Sequence, residues 1–172
     1  MFRSAFAAPL ALAVAACVPA SNAPVASASK AEKHPEARLY DASLDASMAV
    51  DAALERAAGR NVNALVVMGA NWCHDSRAFA GWSETPRFAA MLAQRFELVF
   101  INVGMPQTGD GHNLHIAKRF GIEELEGTPT VLVIAPDGNV LNGDTAKTWR
   151  DTASRSEDAV FEELAAFPLP AR

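Results

Sequence analysis

An α/β sandwich, with helices on both faces of a central sheet, is the fold class this sequence predicts, and two observations carry it. The apolar runs Ala64–Gly69 and Leu98–Val103 are rich in β-branched residues and continuous rather than alternating, which marks strands buried on both faces. The segments around them have helical spacing, and the last strand, Thr130–Ala135, is followed by Pro136-Asp137-Gly138-Asn139 and then Val140-Leu141. That tetrapeptide is a strong turn signal for a hairpin. Strands separated by helices and closed by a hairpin make a layered α/β domain.

Taken in order, Arg38-Leu39-Tyr40 reads as a short edge strand. Ser47 to Ala58 reads as a helix, with Asp45 or Ser47 as its N-cap and Gly59 just past its end. After the strand Ala64–Gly69, a second helix is expected from Cys73 to about Gly81. Thr85-Pro86 supplies an N-cap and a proline at the first helical position of a third, which runs to about Arg95. Phe88, Met91, Leu92 and Phe96 fall at helical spacing and are expected in the core, and Trp82 reads as packing between these two helices. Leu98–Val103 follows, then a glycine-rich loop, Gly104 to Asn113, and a short helix, Leu114 to Phe120, ending at Gly121. Ser154-x-x-Glu157 has the form of a capping box. Val160, Phe161, Leu164 and Phe167 give the final helix its apolar face before Pro168 stops it.

The chemistry concentrates in Asn71-Trp72-Cys73-His74-Asp75-Ser76. A strand, a short turn and a helix place Cys73 at a helix N-terminus, where unpaired N–H groups and the macrodipole favour an anion and so a thiolate. A protonated His74 would help, and Asp75 would oppose it. Ser76 lies one helical turn on, near enough to hydrogen-bond a thiolate; the alternative is that it faces solvent or caps the helix. A buried structural cysteine is likewise the alternative for Cys73.

This stretch resembles the Trp-Cys-x-x-Cys motif of the thioredoxin family, with Ser76 in place of the second cysteine. Gly127-Thr128-Pro129-Thr130, leading into Val131-Leu132-Val133-Ile134, resembles that family's cis-proline loop and following strand. The resemblance extends from about Ala64 to Asn142. It implies a thioredoxin-like three-layer sandwich with a mixed sheet, in which Leu98–Val103 lies parallel to Ala64–Gly69. It implies Cys73 as the nucleophile, with Trp72, His74 and Ser76 around it. It also implies a cis Pro129 that holds the Thr128 backbone where a substrate chain can pair as an added strand. The family's buried aspartate, six residues before the first cysteine, corresponds here to Val67. With neither a second thiol nor that acid, Cys73 is expected to work as a single thiol, and no cofactor is implied.

The chain has 172 residues, a net charge of −5 and no basic block, which argues against a nucleic-acid partner. Its two cysteines, Cys17 and Cys73, do not form a disulfide framework. Arg3 followed by the apolar run Ala5–Ala16 has the form of a signal peptide over residues 1–16, too short to span a bilayer. Val14-Ala15-Ala16-Cys17 resembles the lipobox of bacterial lipoproteins, in which the cysteine is acylated; cleavage after Val18-Pro19-Ala20 is the alternative. The expectation is an exported periplasmic protein held at the outer membrane by lipid on Cys17. Residues 17–36, rich in Ala, Ser, Pro and Lys, read as its tether, with His34 solvated, and residues 37–172 as the folded domain.

Three functions stay open. One is thiol–disulfide exchange through Cys73 with thiols or disulfides of periplasmic proteins. A second is a non-catalytic or redox-sensing binding module of the same fold. A third is metal handling, for which Cys73 with the His112-x-x-His115 pair offers one S and two N ligands, although that spacing also suits two solvated histidines.

Overall fold

The computed structural model describes Met1 and residues 34–171; the signal-peptide, Cys17 and most of the tether expectations lie outside those residues. In chain order the elements are α1 (Ala46–Arg60), β1 (Asn63–Gly69), α2 (His74–Glu84), α3 (Pro86–Arg95), β2 (Phe96–Asn102), a small hairpin of β3 (Gly104–Met105) and β4 (Asp110–Gly111), α4 (Leu114–Arg119), β5 (Thr130–Ile134) and α5 (Glu157–Ala166). Short 3-10 helices occupy Pro106–Thr108 and Thr148–Ser154.

Every residue of β1 is buried, as its unbroken apolar run requires. It is the central strand, parallel to β2 from Asn63↔Phe96 to Gly69↔Asn102 and antiparallel to β5 from Ala64↔Ile134 to Met68↔Thr130. Alternate β1 side chains serve two cores. Leu65 and Val67 join Val131, Val133, Phe79, Phe88, Trp149 and Leu164 under α2, α3 and α5. Ala64, Val66 and Met68 join Val50, Ile101, Ile116 and Leu132 under α1 and α4. The result is the mixed sheet with helices on both faces. Phe88, Met91, Leu92 and Phe96 are core residues, and Trp82 stacks on Phe88 at 6.0 Å between ring centroids.

The boundaries differ from the sequence expectations in ways that local hydrogen bonding explains. Arg38–Tyr40 is not a strand. The Tyr40 backbone is held by side chains instead: its N–H donates to Asn71 Oδ1 at 3.2 Å, and its carbonyl accepts from Asn71 Nδ2 at 2.9 Å and Asn102 Nδ2 at 3.1 Å. Asp45 does cap α1, accepting from Met48 N. The helix runs through Gly59 and stops at Asn61, which takes the left-handed conformation (φ 52°) that asparagine tolerates. Thr85 precedes Pro86 as expected, but its hydroxyl donates back to Trp82 O rather than capping α3. The cap of α5 is Ser156, accepting from Ala159 N, because Ser154 is taken up in the preceding 3-10 helix. The expected hairpin shrinks to one bridge, Ile134↔Val140. Beyond it Asn142 stands in for a strand, accepting from Val133 N and donating to Val131 O, both at 2.8 Å.

Candidate functional site

Cys73 is the N-cap of α2, reached directly from the C-terminal end of β1 through a turn closed by Cys73 N–H to Ala70 O at 3.1 Å. Its side chain makes no cap hydrogen bond, so the sulfur is free of the helix's own first turn. The thiol donates instead to Thr128 O at 3.2 Å, and the Thr128–Pro129 bond is cis. The two motifs, 55 positions apart in sequence, thus meet at one sulfur. Cys73 is 8% exposed, while Trp72 beside it is 49% exposed and is tethered by its indole N–H to Gly104 O at 2.8 Å. A half-exposed aromatic next to a recessed thiol supplies an apolar surface for a docked chain.

The other expected residues are placed differently from one another. Ser76 lies in the first turns of α2 but is fully buried, and its Oγ has no hydrogen-bond partner among the described residues. It does not bond to the Cys73 sulfur, so neither the solvent-facing nor the thiolate-bonding expectation describes it. Asp75 accepts from Ala153 N at 2.8 Å, which anchors the 3-10 helix Thr148–Ser154 against α2. The His74 ring also turns outward, with Nε2 3.1 Å from Glu36 Oε1. Val67 is fully buried among apolar side chains, as the loss of an acid there allows.

His112 and His115 are not brought together with Cys73. His112 Nε2 lies 3.1 Å from Asn102 Oδ1 and His115 Nε2 lies 2.9 Å from Ser47 Oγ, on opposite sides of α4's N-terminus in sequence and with separate partners. Among the described residues, the one group whose ligand atoms converge within 4.8 Å is His34, Glu36 and His74.

Two supports of the site were not legible in the motifs. Tyr40 is fully buried beneath α2 and donates its hydroxyl to Ser76 O at 3.1 Å. Burial pushes its phenol far above the ordinary tyrosine range, with the Cys73 charge adding to the effect, so it stays a neutral donor. Gly69 ends β1 where no side chain fits: a Cβ would stand 2.6 Å from Ser76 Oγ and 2.7 Å from the Tyr40 ring. Asn71, two residues past the end of β1, and Asn102, the last residue of β2, are the available sequence signal, since both side chains bind the Tyr40 backbone.

The segment expected to end a tether is also part of the site's surroundings. His34, Pro35 and Glu36 lie against α2: Ala37 N–H donates to Arg77 O at 3.1 Å, Glu36 pairs with Arg77 at 2.9 Å, and a Cβ on Gly81 would overlap the Pro35 carbonyl. The Arg77 hydrogen bond holds the Glu36 carboxyl below the usual carboxylate range. His34 is not simply solvated, for its ring packs on His74 at 4.5 Å between centroids.

Comparison with known proteins agrees with this geometry. A family model described as Thioredoxin-like matches residues 45–136, just over half of the chain. A crystal structure of a disulphide isomerase from Xylella fastidiosa Temecula1 is similar, with a TM-score of 0.68 and 29% identity, covering 75% of this chain and 95% of that one. No curated protein matches the chain.

Proposed function

This chain belongs to the thioredoxin-like family, and on that premise we propose that it is an exported single-thiol thiol–disulfide exchange protein whose nucleophile is Cys73. The observation that carries the reading is the convergence of the Cys73 sulfur, at the N-terminus of α2, on the Thr128 carbonyl of the Pro129 loop. The disulphide isomerase among similar structures supports the same class of chemistry.

In the proposed mechanism, a disulfide-bearing chain docks along the Thr128 backbone with Trp72 as an apolar wall. The Cys73 thiolate attacks one sulfur of the partner's disulfide, forming a Cys73–partner S–S bond while the partner's other sulfur departs as a thiolate and takes a proton. No second thiol follows in α2, because Ser76 stands at that position. Release must therefore come from outside the helix. Attack by an external thiol on the Cys73 sulfur releases the partner as a dithiol and leaves Cys73 bonded to that thiol. A second external thiol then frees Cys73, so the partner is reduced and the external thiols are oxidised to a disulfide. Attack by the partner's own second thiol instead gives rearrangement with no net electron transfer. Export and attachment through lipid on Cys17 place the partners among periplasmic proteins in an oxidising compartment.

The experiment is to trap partners on the protein in cell envelopes and resolve them under non-reducing conditions. Wild-type protein is expected to accumulate partner adducts that reductant releases, and Cys73→Ser to accumulate none. Adducts that survive in Cys73→Ser, or a variant that retains full partner binding and phenotype, would instead support a non-catalytic binding module.

A further inference from the structure

We propose that His34, Glu36 and His74 form a divalent transition-metal site at the mouth of the thiol site, taking Zn²⁺ through two imidazole nitrogens and one carboxylate oxygen. The three residues come from two separate segments. His34 and Glu36 belong to the stretch that lies across α2, and His74 is the first residue of α2, directly after Cys73. Their ligand atoms already lie within 4.8 Å of one another. Tetrahedral coordination at Zn–N of about 2.0–2.1 Å needs ligand atoms about 3.4 Å apart, so only small side-chain rotations separate the present arrangement from a coordination shell.

The surroundings are arranged as ligand-orienting contacts would be. His34 Nδ1 lies 3.2 Å from the Pro35 carbonyl; an N–H at Nδ1 donating there leaves Nε2 as the open lone pair. Glu36 uses Oε2 to accept from Arg77 Nε at 2.9 Å, which fixes the carboxylate and leaves Oε1 facing His74 Nε2 at 3.1 Å. Two imidazoles in contact, their rings tilted 57° to one another, with a carboxylate across them form a donor set of borderline character, suited to Zn²⁺ with a fourth position left for water. His34 is part-buried, while Glu36 and His74 are exposed, so an ion can enter from solvent. The Arg77 charge beside Glu36 works against a cation and keeps this a site of moderate affinity. Occupancy would pin residues 34–36 to the first turn of α2, forming a fixed wall next to Cys73.

Isothermal titration of untagged protein with Zn²⁺ tests this, with Cys17→Ala as background to remove the N-terminal thiol, and Co²⁺ absorption as the report on ligand type. The expected result is one ion per chain, weakened about tenfold or more by His34→Ala and by His74→Ala. Cys73→Ser and the His112→Ala/His115→Ala pair should leave binding unchanged, and the Co²⁺ spectrum should lack a thiolate charge-transfer band. All five ligand and control positions can be checked for folding by circular dichroism. No Zn²⁺ binding in the background protein, binding unaffected by His34→Ala in a folded variant, or loss in Cys73→Ser with a thiolate band in the parent would each overturn the proposal.

Discussion

Replacing Ser76 by cysteine is expected to turn a slow, adduct-forming thiol into a dithiol that turns over about tenfold faster or more in a disulfide-reduction assay driven by an external dithiol. The position suits a second sulfur. Ser76 follows Cys73 by three residues on α2, a spacing that places side chains on one face of the helix and within the reach a disulfide requires. Its Oγ is fully buried and holds no hydrogen bond that the exchange would break. Cys73 need only release its contact with Thr128 O to close the bridge. The oxidised variant should lose two hydrogens in intact mass, and the trapped-partner adducts seen with the wild type should disappear. A Ser76→Cys protein that forms no internal disulfide, or forms one without gaining turnover, would show that α2 does not present both sulfurs to a substrate.

Trp149→Ala is expected to destabilise the protein by about 3–5 kcal/mol, a large share of the ~5–15 kcal/mol that holds a typical domain together. The indole is fully buried in the core under α2. It packs edge-on to Phe79 at 5.5 Å, and the Arg155 guanidinium lies 5.2 Å from its ring. Truncation leaves a cavity that the sheet and α2 cannot collapse to fill, and it loosens the 3-10 helix whose Ala153 N–H binds Asp75. Urea denaturation should show a lowered midpoint with an unchanged slope. A loss below about 1 kcal/mol would mean that Trp149 is replaceable filler and that the 3-10 helix is not a structural support of α2.

The parts of the fold legible in the sequence are those governed by local rules. β1 was readable because a strand buried on both faces must be apolar throughout, and α3 because Pro86 and the Phe88, Met91, Leu92 spacing obey helix geometry. The meeting of Cys73 with Thr128 was readable only through the paired motifs, since nothing local brings positions 55 apart in sequence together. What was not legible depends on tertiary partners. Sequence pattern alone predicts an edge strand at Tyr40, because periodicity does not register that its backbone bonds go to the side chains of Asn71 and Asn102. The turn signal at Pro136–Asn139 predicts a hairpin onto Val140–Leu141, but the pairing beyond the Ile134↔Val140 bridge is taken over by the Asn142 amide, which leaves the turn signal intact. Trp149 sits in a polar stretch without amphipathic spacing, so its complete burial had no sequence signature. The histidines show the same limit: spacing groups His112 with His115, whereas the fold brings His34 to His74 across 40 positions of sequence.

The claim on which the account rests is that the recessed Cys73 thiol, 8% exposed, is nonetheless an open nucleophile in the folded protein. The most direct measurement is the rate of alkylation of Cys73 at neutral pH, in protein carrying Cys17→Ala, compared between the folded state and the urea-unfolded chain. A folded-state rate equal to or above that of the unfolded chain is expected, because the sulfur's hydrogen bond is, among the described residues, to the Thr128 carbonyl alone and it stands at a helix N-terminus. Protection by about a hundredfold or more in the folded state would contradict it, since a thiol shielded to that degree is a packing residue and cannot attack a disulfide.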